Sequence, residues 1–432
     1  MAEAAGILYA VEHMVEGGLA LAKGIYDPTL PLKATIKPIT DVNLPRVYHS
    51  VSEVKGRAYI FGGKTEDGQV GDIAEQGTPD NAIHMIILPS SGIESTDYQR
   101  LEPTSASPPA RYGHSTAVID DQIYVFGGSN ANGLLNEKGR VWVFDTDTNS
   151  WSSLDAAVGD VPKPRKWAAA TASAQPQPEH QRTDVNVAPQ LPLDPAKMVP
   201  EPLSPVTYGT FVLFGGCCED EERAISELWI LDIASRTWSQ LPSPPTTHTS
   251  DASPSIVFYN NRLYLVSRSS THHLDLGFSS PSYTSSQTTG PTPQSPWCHL
   301  PSTEAALPPY LEGSAALFPI TTGQGRNYLL HITPNNLLTL QLPSSATTAA
   351  SLKDRARDAI SKKNATNEYA EVRYFNAEGV MIQEGQKDRG IGGRTGFAAA
   401  KAKEIDGGCL VVWGGVLDGK VRGDGLMIEV EK

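Results

Sequence analysis

RYGHSTAVIDDQIYVFGGSNANGLLNEKGRVWVFDTDTNSWSSL, residues 111–154, reads as four short strands in succession. The first, over 114–119, is small and apolar, and Asp120-Asp121 gives a polar turn into Ile123-Tyr124-Val125-Phe126. β-branched and aromatic residues alternating over so short a run suit a buried strand. Gly127 and Gly128 end it, at a place where a chain without Cβ atoms can turn to positive φ or let a neighbour approach closely. A third strand over 140–145 alternates Val, Trp, Val and Phe. Residues 145–149, DTDTN, then turn the chain into a fourth strand carrying Trp151 and Leu154.

The same unit recurs at intervals of about 50 residues, the period of propellers and other arrays. Paired glycines after an apolar strand, with an aromatic and then a tryptophan farther on, resemble the kelch repeat. That resemblance implies four-stranded blades that bury their faces only against neighbouring blades. Hairpins of first and second strands appear six times: RVYHSVSEVKGRAYIFGG, ARYGHSTAVIDDQIYVFGG, one ending in TFVLFGG, PSIVFYNNRLYLVSRS, GSAALFPITTGQGRNYLLHI and RTGFAAAKAKEIDGGCLVVWGG. Six blades are therefore expected. The fourth and fifth depart from the pattern, with Ser267-Arg268 and His331-Ile332 where paired glycines would stand. Fourth-strand aromatics are Tyr98, Trp151, Trp238 and Trp297 in blades one to four.

The two ends of the sequence complete each other. KATIKPITDVNLPRVYHSV resembles DYQRLEPTSASPPARYGHST, in which the last strand of one blade leads into the first strand of the next. Residues 33–39 are thus a final strand with no blade before them. At the other end, CLVVWGGVLDGKVRGDGLMIEVEK supplies a second strand, Gly414-Gly415 and a third strand, then stops. The expected fold is an all-β, six-bladed propeller over 33–432 whose last blade is closed by the N-terminal strand, which removes an exposed sheet edge. Residues 1–24 form a separate extension. Within it Ile7, Leu8, Val11, Met14, Val15 and Leu19 recur at helical spacing, and a short helix packed on the side or bottom of the ring is expected. Insertions rich in Pro, Gln, Ser or charge interrupt the repeat at about 173–205, 279–296 and 344–368, the last containing a short charged helix. No adaptor domain of the BTB or F-box kind is expected.

A formal net charge of -13 over 432 residues argues against nonspecific association with nucleic acid or anionic membrane, and 38 Gly and 33 Pro fit a fold of many turns. Cys217, Cys218, Cys298 and Cys409 show neither CxxC spacing nor the density of a disulfide framework. The N-terminus lacks the basic and apolar regions of a secretion signal, and an intracellular, cytoplasmic setting is expected. No apolar run is long enough to span a bilayer.

Chemistry in such a ring concentrates at the channel mouth, just before each innermost strand. There stand Arg46, Arg111, Arg165 and Arg394, with His49 and His114 a little farther on; Trp167 is read in the histidine's place in blade three and Phe397 in blade six. Two readings of the arginines compete. As ligand groups, they would offer planar guanidinium forks to an acidic segment of a protein partner or an anionic small molecule, as the kelch resemblance implies. As clamps, they would donate to backbone carbonyls between blades. Tyr48 and Tyr112 with Trp167 and Phe397 add an aromatic component suited to a flat acidic ligand.

No HExxH, GxSxG, P-loop or EF-hand spacing occurs. His272-His273 are adjacent on a strand and point to opposite faces. Neither the Glu-x3-Asp-x3-His iron loop of plant specifier proteins nor the copper site of galactose oxidase, a propeller relative, has a counterpart. No metal or cofactor is expected. A binding module for an acidic partner is the leading reading, and a metal-free enzyme acting on a small organic substrate is the alternative.

Overall fold

A computed structural model describes residues 31–65, 77–88, 97–157, 159–176, 208–218, 225–245, 255–267, 270–276, 296–300, 315–322, 326–342, 369–383, 386, 389–402 and 408–431. The helix expected over 4–23 lies outside these residues. So do the charged helix within 344–368 and most of the other two insertions.

Six antiparallel sheets follow one another around a ring. Blade one runs Ser50–Val54, Arg57–Phe61, Ile83–Ile87 and Asp97–Leu101 from inside to outside. Blade two repeats the order with Ser115–Ile119, Gln122–Phe126, Val141–Asp145 and Ser150–Leu154. Blade three has Ala169–Ser173, Thr210–Phe214, Leu228–Asp232 and Thr237–Leu241, so its long insertion falls between the first and second strands. Blade four has Ser255–Tyr259, Arg262–Ser267, Ser270–Asp275 and Trp297–Leu300, and blade five Ala316–Thr322, Arg326–Ile332, Leu337–Gln341 and Tyr369–Glu371.

Blade six combines the two ends of the chain. Ala398–Ala402, Gly408–Trp413 and Gly425–Glu431 are followed outward by Lys33–Ile39, which pairs antiparallel with the last strand through Ile36 opposite Ile428. The closure read from the sequence is therefore present. Beyond it lies a fifth strand that the repeat does not predict, Arg373–Asn376, pairing parallel with Lys33–Ile39.

The core is divided into six parts, one per joint between blades. Alternation within single strands explains this. In Gln122–Phe126, Ile123 and Val125 pack with Phe61 and Ile83 of blade one, whereas Tyr124 and Phe126 pack with Phe211 and Leu213 of blade three. The outermost tryptophans reach back across the same joints. Trp151 meets Phe61 of blade one at 5.0 Å between ring centroids, and Trp238 meets Phe126 of blade two at 5.4 Å while its Nε1 donates to the Gly139 carbonyl at 2.8 Å. Each blade thus buries both faces, and the ring has no independent unit smaller than itself.

Candidate functional site

The innermost strands of all six blades surround a central channel of about 440 Å³. Alanines at 117, 168–170, 172, 315, 316 and 398–400 make up much of its wall and keep it open. At the mouth the segments Arg46-Val47-Tyr48-His49, Arg111-Tyr112-Gly113-His114, Arg165-Lys166-Trp167-Ala168 and Arg394-Thr395-Gly396-Phe397 occupy equivalent places in blades one, two, three and six.

All four guanidinium groups point into the protein. Arg46, Arg111, Arg165 and Arg394 are 2%, 0%, 1% and 4% exposed, and none lines the channel. In blades one to three Nη1 donates to the carbonyl of the blade's first paired glycine, at 2.8 Å to Gly62, 2.9 Å to Gly127 and 3.0 Å to Gly215. Nη2 donates to a carboxylate just before the third strand: Asp80 at 3.3 Å, Glu137 at 2.8 Å and Glu227 at 2.8 Å. In blade six both bonds go to Asp424, through its carbonyl at 3.2 Å and its carboxylate at 2.7 Å. The carboxylates are themselves fixed by third-strand N–H donors, Trp142 Nε1 on Glu137 at 2.7 Å and Trp229 Nε1 on Glu227 at 2.9 Å. In blade one His84 takes this role toward Asp80, with Nε2 2.8 Å from the carboxylate. Burial alone would raise the Asp80 carboxyl, but the hydrogen bond from His84, the Ala82 N–H and the Arg46 charge hold it well below its ordinary value.

The arginine backbone completes the clamp. The second paired glycine of each preceding blade donates its N–H to the arginine carbonyl, Gly63 to Arg111, Gly128 to Arg165 and Gly415 to Arg46, each at 2.9 Å. The pair must be glycine here: Gly62 and Gly63 have φ of 64° and 84°, and a Cβ on Gly62 would lie 2.5 Å from the Arg111 carbonyl oxygen. Arg46, Arg111 and Arg165 therefore each tie their own blade together with the side chain and join the preceding blade with the carbonyl, while Arg394 makes the side-chain tie. Of the two readings, the geometry favours the clamp; the expectation of guanidinium forks presented to a ligand is corrected, because their donors are turned to carbonyls and carboxylates inside the ring.

His49 and His114, unlike the arginines, line the channel, although both are buried in its wall. His114 is buried between blades one and two, Nε2 lying 2.8 Å from Ser50 Oγ and the ring edge-on to Phe61 at 5.2 Å. Burial first, and the Arg111 charge second, push its pKa down to about 3. His49 occupies the same position at the joint of blades six and one, but Ala398 stands where Ser50 serves His114. Neither of its ring nitrogens meets a partner in full hydrogen-bond geometry, although the Trp413 backbone lies near enough to favour the charged ring. Burial, then the charge of Arg46, keep His49 well below its ordinary pKa.

Trp167 and Phe397 also line the channel; Phe397 stands in the histidine's place as expected, whereas Trp167 is one residue out of that register. Trp167 N donates to the Gly113 carbonyl at 2.8 Å, Gly113 N to Tyr48 at 2.9 Å and Tyr48 N to Gly396 at 3.0 Å. Trp167 is therefore the equivalent of Gly113 and Tyr48, and Ala168 is the residue in the histidine's place. This chain of bonds binds four blades at the rim. Tyr48 and Trp167 adopt φ of 59° and 57° in it, where blades two and six have glycine. The two rings meet edge-on at 6.2 Å, and the indole lies over Gly113, where a Cβ would come within 3.0 Å of Nε1. Cations remain at this rim although the arginines do not supply them. Lys64 Nζ lies 4.5 Å from the Tyr112 ring centre and Lys166 Nζ 3.9 Å from that of Trp167. Sequence reading passed over both lysines; their signal was position alone, one residue after the glycine pair and one after the arginine.

Among the described residues, no group of three His, Cys, Asp or Glu side chains is placed to hold a metal ion. Comparison with known proteins gives a family profile described as the KLHDC2/KLHL20/DRC7 Kelch-repeats domain, matching residues 32–176. Tip elongation aberrant protein 3 of Schizosaccharomyces pombe is 30% identical over 26% of this chain and 11% of its own length. Kelch domain-containing protein 1 of Mus musculus is 29% identical over 26% of this chain and 23% of its own. The chain thus spans well under half the length of these relatives. A solved structure titled "Structure of YjhT" aligns with TM-score 0.45 and 13% identity over 91% of this chain and 99% of that one.

Proposed function

We propose, from the premise that this chain belongs to the kelch-repeat family, that it is a protein-interaction module whose channel mouth receives an acidic segment of a partner through an aromatic-lysine rim. The observation that carries this reading is Trp167 and Tyr48 in left-handed backbone at positions where blades two and six have glycine. A bulky residue held there costs about 1–3 kcal/mol, and such strain collects at functional places. The ammonium groups of Lys64 and Lys166 over the rim aromatics supply positive charge beside flat apolar faces. Asp or Glu side chains would pair with Lys166 while neighbouring apolar groups stack on Tyr48 and Trp167.

The test uses fluorescence anisotropy with a panel of Asp- and Glu-rich peptides and charge-neutral scrambles. Acidic peptides are expected to bind selectively and to weaken with salt. Trp167→Gly restores the residue found in blade two, so it is expected to leave stability within about 1 kcal/mol of wild type while weakening binding about tenfold or more. Lys166→Glu should do the same to binding. Equal affinity for acidic and neutral peptides, or unchanged binding in both variants, would overturn the proposal; a large loss of stability in Trp167→Gly would make the tryptophan a structural residue.

A further inference from the structure

We propose that Tyr98, on the outermost strand of blade one, is a nucleophile activated by His84 and Asp80, and that its hydroxyl accepts an acyl group from an activated acyl donor. This does not depend on the channel-mouth reading. Tyr98 Oη lies 2.8 Å from His84 Nδ1, and His84 Nε2 lies 2.8 Å from Asp80 Oδ2. A nucleophile, a base and a third group that orients the base, each within hydrogen-bond reach of the next, make the arrangement that activates a weak nucleophile. Asp80 sets the direction of the chain. Its carboxylate only accepts, so Nε2 carries the imidazole proton and Nδ1 accepts from the phenol. Arg46 Nη2, 2.9 Å from Nε2, donates to the same carboxylate at 3.3 Å.

Blade one departs here from its neighbours. His84, opposite Ile60, stands where Trp142 and Trp229 stand opposite Val125 and Leu213. An indole has one N–H and gives it to the clamp carboxylate, so no proton path continues outward. Fixing Asp80 likewise takes only one imidazole nitrogen, and the second is turned to the outermost strand. There Trp238 and Trp297 of blades three and four are buried, whereas Tyr98 is 40% exposed, its ring stacked on His84 at 6.0 Å. Burial, opposed by the Arg46 and Arg100 charges and aided by Asp80 and Glu102, raises the Tyr98 pKa, so at neutral pH the phenol keeps its proton and attack needs a base. Burial, then Arg46 and Arg100, lower that of His84 against Asp80, so the imidazole is neutral and can take the proton. In the step, a bond forms from Tyr98 Oη to the acyl carbon and the bond from that carbon to its leaving group breaks. The phenol proton passes to His84 Nδ1 and then to the leaving group.

The experiment treats the full chain with N-acetylimidazole and follows acetylation of each tyrosine by peptide mass spectrometry; the acetyl group moves to Oη and imidazole leaves. At about pH 7, Tyr98 is expected to react about tenfold or more faster than N-acetyltyrosine amide, a fully exposed phenol without a base. Its rate should be level from about pH 7 to about pH 8.5, because the imidazole is already neutral, whereas a plain phenol gains about tenfold per pH unit with its phenolate. His84→Trp keeps an N–H for Asp80, as in blades two and three, and should lower the Tyr98 rate about tenfold or more while leaving the other tyrosines unchanged. A Tyr98 rate no greater than that of the free phenol, or one that climbs tenfold per unit through about pH 8.5, overturns the proposal. So does an unchanged Tyr98 rate in folded His84→Trp; should that variant not fold, the wild-type pH profile decides.

Discussion

Blades six, one, two and three are joined differently from blades four and five, although all six have the same four-stranded order. At the joints of six with one, one with two and two with three, a glycine N–H meets an arginine carbonyl, and the arginine side chain is spent on its own blade. Among the described residues, the joints of three with four and four with five show apolar clusters and side-chain bonds, such as Trp297 Nε1 to the Pro242 carbonyl at 2.8 Å and Thr271 Oγ1 with Tyr369 Oη at 2.6 Å, and the joint of five with six has a backbone bond without an arginine, Gly393 N to the Pro334 carbonyl at 2.8 Å. Hydrophobic packing is enough to make a blade joint. The arginine clamp adds directional bonds that fix the mouth-side loops, and the clamped arc is also where the aromatic rim stands.

The largest effect that would break this contrast is loss of closure. Deleting residues 1–40 removes Leu32, Ala34, Ile36 and Ile39, all buried, from two of the six cores. At about 1.5–3 kcal/mol for each large side chain, that approaches the whole stability of a typical domain. Thermal melts of the truncated chain should show no cooperative transition near that of wild type. A melt within a degree or so would mean the ring holds without its closing strand.

Acid should distinguish the two regions next. His114 in the arc and His331 in blade five are held neutral by burial, with pKa values lowered to about 3 and about 4. Their unfolded counterparts take up protons below about pH 6.5. Stability is therefore full above that pH and falls as pH drops toward the folded values, in both regions. The arc alone adds clamp carboxylates: Glu227 and Asp424 are lowered, despite opposing burial, by bonds to Arg165 and to Arg422 and Arg394. Their contribution is present above the ordinary carboxylate pKa of about 4 and is lost below it. Hydrogen exchange as a function of pH should show the clamped joints losing protection more steeply below about pH 4 than blades four and five.

A smaller effect comes from the two histidines of the arc. Ser50→Ala leaves His114 Nε2 without its partner and should cost about 1–3 kcal/mol. Ala398→Ser offers His49 the hydroxyl that His114 already has, and should raise stability by about 0.5–1.5 kcal/mol. Denaturant midpoints read both changes. Equal shifts of the same sign would show that the two positions are not equivalent.

The six hairpins, the glycine pairs and the closing strand were legible because each repeats a pattern of period two bounded by turn residues. The fifth strand was not, since Arg373–Asn376 pairs parallel with a strand from the far end of the chain and belongs to no repeat. The direction of the guanidinium groups escaped for a related reason. Their carboxylate partners lie 34, 26, 62 and 30 residues beyond Arg46, Arg111, Arg165 and Arg394, at no fixed spacing. Trp167 was misplaced by one residue because an aromatic in left-handed backbone substitutes for glycine, which its side chain gives no reason to expect.

The clamp itself is tested most directly by Arg111→Ala and Arg165→Ala, measured as denaturation midpoints without any ligand. Each change leaves a carboxylate without its guanidinium partner, Glu137 or Glu227, together with a glycine carbonyl. A loss of about 3–5 kcal/mol in Arg111→Ala is expected, as for a broken buried ion pair, with a smaller loss in Arg165→Ala because Glu227 is the more exposed carboxylate. Midpoints unchanged in both variants would contradict the clamp and return these arginines to the list of groups that meet a partner.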